Sequence, residues 1–164
     1  MGIIKLGIIS VIVFALLITG FSLFIPSHVR ISKAIDINAA KDSVMMQVSD
    51  AANWKKWYPG ADSMNLLLVE GKIKGIEAHS GQGLMITSVN DSTVLAINTG
   101  SISRRGETGW NFYPANNNAV TVQWYIDFHL KWYPWEKFSS LMLEKRYGPQ
   151  MEQGLGNLKA LFEK

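Results

Sequence analysis

The candidates for proton-transfer chemistry in this sequence are three histidines, thirteen carboxylates and five tyrosines, since general acid–base work needs a titratable group within hydrogen-bond reach of the reacting atom. His28 lies at the boundary of an apolar amino-terminal run and His79 at a predicted turn, so both read as surface groups. His129 shares the polar phase of an alternating segment with Asp127 and Tyr125, an arrangement able to orient an imidazole. That phase is opposite Trp124, Ile126 and Phe128, however, so it should point away from an apolar interior. Glu70, Glu77 and Glu107 show no paired-carboxylate spacing, and no Gly-rich phosphate loop, HExxH or GxSxG occurs. The absence of cysteine removes disulfides, thiolate nucleophiles and zinc–thiolate sites. No catalytic residue, no metal site and no cofactor is therefore expected, and the reading leans away from an enzyme.

Aromatic and methionine side chains give the stronger signal. Trp54, Trp57, Trp110, Phe112, Trp124 and Phe128, with Met45 or Met46 and Met85, fall on the expected inward faces. Such a lining is large, apolar and adaptable. Val122 and Ile126 share the strand phase of Trp124, and Met151 and Leu155 lie on the apolar stripe of the last helix. Together, Trp54, Trp57, Met85, Trp110, Phe112, Val122, Trp124, Ile126, Met151 and Leu155 are the expected ligand-binding residues, with simple core filling as the alternative for each.

These side chains need elements to position them. Leu6 to Ile25 reads LGIISVIVFALLITGFSLFI, uncharged throughout and bounded by Lys5 and Pro26. About 20 residues at roughly 1.5 Å rise span a hydrocarbon core of about 30 Å. The run is longer than a signal-peptide core and lacks a small-x-small cleavage site. Residues 1–26 are thus expected to be a single-pass membrane anchor and residues 27–164 one domain. Lys5 favours a cytoplasmic start, with Arg30, Lys33 and Lys41 competing on the other side. The lean is toward a domain outside the cytoplasm. Sixteen Lys and Arg against thirteen Asp and Glu make a mild excess, with no nucleic-acid footprint; Lys55–Lys56 and Arg104–Arg105 read as solvated surface.

Val29, Ile31, Ile35 and Ile37 alternate with polar or small residues, predicting a strand over Val29–Asn38. Val44 and Val48 mark a helix in 39–49, and Asp50 can cap a second short one carrying Trp54 and Trp57. Pro59–Gly60 ends it. Turn residues at Glu70–Gly71, Ser80–Gly81, Asn90 to Ser92, Ser103 to Gly106 and Pro114 to Asn118 divide 64–131 into six antiparallel strands in meander order. The clearest is Ala119–Lys131, with even-numbered residues on one face and odd-numbered residues on the other. From Glu136 the chain reads as helix, its stripe made by Met151, Leu155, Leu158 and Phe162, with a break or kink expected at Gly148–Pro149. Trp132, Tyr133 and Trp135 sit in a connection beside Lys131 and Lys137; they fit either an aromatic membrane anchor or packing against the last helix.

An α+β chain in this order can bury its apolar faces by wrapping a curved antiparallel seven-stranded sheet around the final helix. VRISKAIDINAAKDSVMMQVSDAANWKKWYPG at 29–60, the Gly71-to-Gly83 hairpin region and YGPQMEQGLGNLKALFEK at 147–164 resemble the START-like SRPBCC superfamily, within it the polyketide cyclase/dehydrase and lipid transport group. The resemblance implies a helix-grip fold with a deep cavity between sheet and C-terminal helix. With the apolar amino-terminal run, the reading is a membrane-tethered binding module for a hydrophobic small molecule or lipid, with a cyclase/dehydratase-like enzyme and an interaction or chaperone module with a filled cavity as alternatives. A cavity of several hundred Å3 would favour the first two. No protein partner is indicated.

Overall fold

The computed structural model describes residues 2–100, 106–115 and 118–163. Helix α1 (Gly2–Leu23) precedes strand β1 (His28–Ile37), helix α2 (Lys41–Ser49) and two 3-10 turns (Ala51–Lys56 and Ala61–Ser63). Six strands follow: β2 (Asn65–Val69), β3 (Lys72–Glu77), β4 (Gly83–Asn90), β5 (Thr93–Thr99), β6 (Glu107–Pro114) and β7 (Val120–His129). Helices α3 (Pro134–Ser140) and α4 (Leu143–Ala160) complete the chain. Apart from Ser22, α1 buries none of its residues, and it is long and apolar enough to cross a membrane.

All strands are antiparallel, in the order β1-β7-β6-β5-β4-β3-β2. The six-strand meander therefore forms as expected, and β1 closes it by pairing with β7 along its whole length, His28 opposite His129 and Ile37 opposite Val120. The β2–β3 hairpin turns on Glu70 and Gly71, both with positive φ (53° and 77°), the backbone twist that two-residue hairpins need. The expected turn at Ser103 to Gly106 and the pair Arg104–Arg105 lie outside the described residues, Gly106 excepted, as do positions 116 and 117 of the turn at Pro114 to Asn118.

Alternation fixes which side chains enter the core. Thr108, Trp110 and Phe112 of β6 pair with Ile126, Trp124 and Val122 of β7, and all are buried. In β4 the inward residues are Leu84 and Ile86. Met85, expected on the cavity side, lies between them on the opposite face, paired with Gly75 and Ile97. The period of two sends it outward. Of the two methionines on α2, Met45 packs against the core while Met46 is exposed. The gap that Lys33 makes in the apolar phase of β1 has a physical reason: its Nζ lies 2.7 Å from Glu144 and 2.8 Å from Glu152. It thus ties α4 to the first strand.

The final helical region breaks at Leu141–Met142, between α3 and α4, and not at Gly148–Pro149, since Pro149 lies inside α4. A helix tolerates this where packing outweighs the lost backbone bond. Met151, Leu155 and Leu158 are buried against the sheet. A Cβ on Gly154 would stand 2.7 Å from the Trp124 ring and 3.0 Å from Pro59, so glycine here sets how closely α4 approaches.

Gly154→Ala should therefore lower stability although Ala gains about 1 kcal/mol in helix propensity, because overpacking costs roughly 1–3 kcal/mol where neighbours cannot yield. A midpoint of chemical unfolding equal to or above wild type would contradict the close approach. Trp124→Ala should cost on the order of 3–5 kcal/mol, and His129→Ala, on the exposed rim of the other face, should change the same midpoint little.

Candidate functional site

The interior is occupied mainly by aromatic rings. Trp110 and Trp124 lie 5.4 Å apart between centroids, Trp54 and Trp110 5.6 Å, Trp57 and Trp110 6.0 Å, and Tyr58 and Trp124 5.4 Å. Their mutual angles are tilted or edge-on, the arrangements that ring quadrupoles favour. Trp54 and Trp57 are held by indole N–H donation to the carbonyls of Val48 (2.7 Å) and Gln47 (3.1 Å). Trp54, Trp57, Trp110, Phe112, Val122 and Leu155 are all buried in the packed core.

Beyond this cluster a cavity of about 90 Å3 remains, lined by Tyr58, Leu84, Asn98, Thr108, Trp124, Ile126, Phe128, Tyr147, Gln150 and Met151. Of the ten residues expected to bind ligand, only Trp124, Ile126 and Met151 face it. Trp54, Trp57, Met85, Trp110, Phe112, Val122 and Leu155 do not line it. The remaining space adjoins a more open recess of about 390 Å3 along Gln82, Gly83, Asn98, Thr99, Gly100, Arg146 and Tyr147; Asn98 and Tyr147 border both.

Strand register explains the location. The inward row Ile86, Ala96, Thr108, Ile126 and Ile31 crosses β4, β5, β6, β7 and β1. On one side of it lies the Val94–Trp110–Trp124 row and on the other lie Leu84, Asn98 and Phe128. The tryptophans fill the far half, and smaller or polar residues leave the other half open.

The polar groups of the cavity are hydroxyls and amides. Trp124 Nε1 donates to Thr108 Oγ1 at 2.8 Å, and Thr108 Oγ1 donates to the carbonyl of Tyr125 at 3.0 Å. Asn98 Nδ2 reaches the Gly106 carbonyl at 3.4 Å. Burial, and secondarily the nearby Tyr147, pushes the Tyr58 phenol up to about 12, so at neutral pH it is a neutral donor. Among the described residues the cavity lining holds no carboxylate and no imidazole.

Sequence reasoning missed Tyr58, Leu84, Asn98, Thr108, Tyr147 and Gln150. A signal existed for two of them: Asn98 shares a phase with Val94 and Ala96, and Thr108 with Trp110 and Phe112. A polar residue on an apolar phase marks either a satisfied core group or a cavity wall.

The titratable cluster lies on the opposite face. Arg30 donates to both oxygens of Asp127, at 2.7 and 2.6 Å, and its guanidinium stands 4.3 Å over the Tyr125 ring. His28 Nε2 lies 3.2 Å from Asp127 and its ring stacks on His129 at 4.7 Å. The Arg30 hydrogen bonds, reinforced by the charges of Arg30 and His28, hold the Asp127 carboxyl below the usual carboxylate range. The cluster joins β1 to β7, and no histidine reaches the cavity.

The family model described as polyketide cyclase / dehydrase and lipid transport matches residues 28–163. None of the curated proteins matches the chain. Among solved structures, a START superfamily protein from Mycobacterium smegmatis is 15% identical with a TM-score of 0.61, over 82% of this chain and 97% of its own. A protein from Thermobifida fusca is 16% identical with a TM-score of 0.63, over 81% and 92%. The di-domain ARO/CYC StfQ from the steffimycin biosynthetic pathway is 10% identical with a TM-score of 0.63, over 83% and 51%. Identities this low speak for the fold alone, while the family match covers most of the sequence. With its sheet wrapped on the C-terminal helix and its interior space between them, this chain belongs to the polyketide cyclase / dehydrase and lipid transport family and has the START-like fold.

Proposed function

We propose that this protein is a membrane-tethered binder of an amphiphilic small molecule or lipid. Residues 1–26 hold it to the bilayer, and residues 27–164 form the binding domain outside the cytoplasm, the orientation that Lys5 favours. An apolar portion of the ligand enters the space between Leu84, Ile126, Phe128 and Met151, and its polar end meets Asn98, Tyr147 and Arg146 in the recess. The observation that carries this reading is the lining itself: apolar walls with a few convergent neutral donors and acceptors, the pattern of a small-molecule site. The inner space is smaller than the roughly 300–1,000 Å3 of drug-sized sites, so the ligand's bulk belongs in the recess. A cyclase-like reaction would call for a general base, which the cavity lining does not offer among the described residues.

The test is native mass spectrometry of the full chain purified in mild detergent, followed by organic extraction. An apolar or amphiphilic molecule should co-purify at near-stoichiometric level. Leu84→Trp, which fills the inner space, should cut its occupancy several-fold while leaving the circular-dichroism spectrum unchanged. Protein that carries no molecule and binds no environment-sensitive apolar dye would favour the filled, interaction-module alternative.

A further inference from the structure

The ends of the sheet can be told apart. β1 begins at His28, just after α1, and β7 ends beside it at His129. By register, the start of β4 at Gly83, the end of β5 at Thr99 and the start of β6 at Glu107 share this end. Helix α4 also starts here: its early residue Glu144 pairs with Lys33, whereas Lys159, near its close, reaches the Asp36 carbonyl at the other end. The recess bounded by Gly83, Thr99, Arg146 and Tyr147 therefore opens on the side where α1 leaves the domain.

Helix α3 lies at the same place. Buried Lys137 donates from Nζ to the Ile25 carbonyl and to Ser27 Oγ, both at 2.7 Å, and α3 packs against α1. While this side of α3 is fixed, the other is bare: Trp132, Trp135, Leu141 and Met142 keep 65–69% of their surface exposed, and Phe138 keeps 40%. Trp135, Phe138 and Met142 follow steps of three and four, one face of a helical stretch. Tyr133 stacks on Trp135 at 4.8 Å and meets Trp132 at a tilt, 4.9 Å away. Lys131, Lys145 and Arg146 flank the patch. Between α3 and the start of α4 a groove of about 290 Å3 runs along Ser139, Met142, Leu143, Lys145 and Arg146, and Arg146 also borders the recess. Patch and groove thus share Met142, groove and recess share Arg146, and recess and inner cavity share Asn98 and Tyr147.

From this geometry we infer that α3 and its flanks, Trp132 and Met142, lie in the interfacial layer of the same bilayer that α1 crosses. The recess then opens onto lipid, and the ligand is an amphiphile drawn from that membrane. The inference rests on the reading of the protein as a tethered binder. The occupant is a lipid surface because the patch is continuous with the end of a helix of membrane-spanning length, because its tryptophans are the side chains that settle at headgroup level, and because cations surround it.

The chain has no cysteine, so single labels are unambiguous. Full-length protein carrying Trp135→Cys, Leu141→Cys, Ser92→Cys in the β4–β5 turn at the opposite end, or Ile12→Cys within α1 would be spin-labelled and placed in vesicles of phosphatidylcholine with phosphatidylglycerol. Labels at 135 and 141 should collide with oxygen several-fold more, relative to a water-soluble nickel chelate, than the label at 92. If 135 and 141 match 92 while 12 reads as hydrocarbon, the inference is overturned and the tethered binder stands. A label at 12 that reads as water removes the tether and with it the inference; ligand occupancy, measured by extraction, is a separate readout. In addition, Trp135→Ser combined with Leu141→Ser should slow uptake of a pyrene-labelled fatty acid from vesicles several-fold, with the amount bound in detergent unchanged. Equal uptake rates would contradict entry from the bilayer.

Discussion

Everything inside this fold is arranged around five aromatic rings. Trp54, Trp57, Tyr58, Trp110 and Trp124 form a continuous contact network in the middle of the interior. Buried rings of this size dominate a core through the area they remove from water. Packing also overrides local polarity, since Trp110 Nε1 is buried with no hydrogen-bond partner. The cluster explains the short 3-10 turn after α2, which delivers Trp54 beneath the sheet. It explains why α4 carries Gly154 where the Trp124 ring and Pro59 come near. It also borders the inner cavity, which lies toward the end of the sheet at which the chain enters from α1.

That asymmetry links packing to function. A START-like sheet and helix can enclose a large pocket, but here the tryptophans occupy much of that volume. The remaining cavity presents neutral hydroxyls and amides along an otherwise apolar wall, a setting suited to holding an amphiphile. The charged and imidazole side chains stand elsewhere. His28, Arg30, Asp127 and His129 join β1 to β7 on the outer face at the end next to α1. Lys137 adds a second brace through Ile25 and Ser27.

The fold was legible because its signals were periodic and strong. The alternation in 119–131 assigned Trp124 inward and Asp127 outward, and the register agrees. Asp50 caps the turn that follows it, its side chain accepting from Ala52 N. The site was legible only in part, since residue type does not separate a ring that packs from one that borders space. That distinction depends on which rows of neighbouring strands meet, and register across five strands is not written in any one of them. Met85 was misplaced by one position in a strand whose flanking turn is rich in glycine, where the phase is weakly marked. The break between α3 and α4 was misplaced because Gly148–Pro149 is a strong local signal, yet the tertiary contacts of Lys33 with Glu144 and Glu152 hold α4 together across it.

The most direct measurement is site mapping with a fatty acid that carries a photoactivatable diazirine on its chain, irradiated with the full-length protein in lipid vesicles and located by peptide mass spectrometry. Attachment should concentrate on Tyr58, Leu84, Tyr147 and Met151, which line the inner cavity. Attachment around Trp54, Trp110 and Phe112, or confined to the outer face of the sheet near Met85 and Ile97, would contradict an interior whose far half is closed by its own tryptophans.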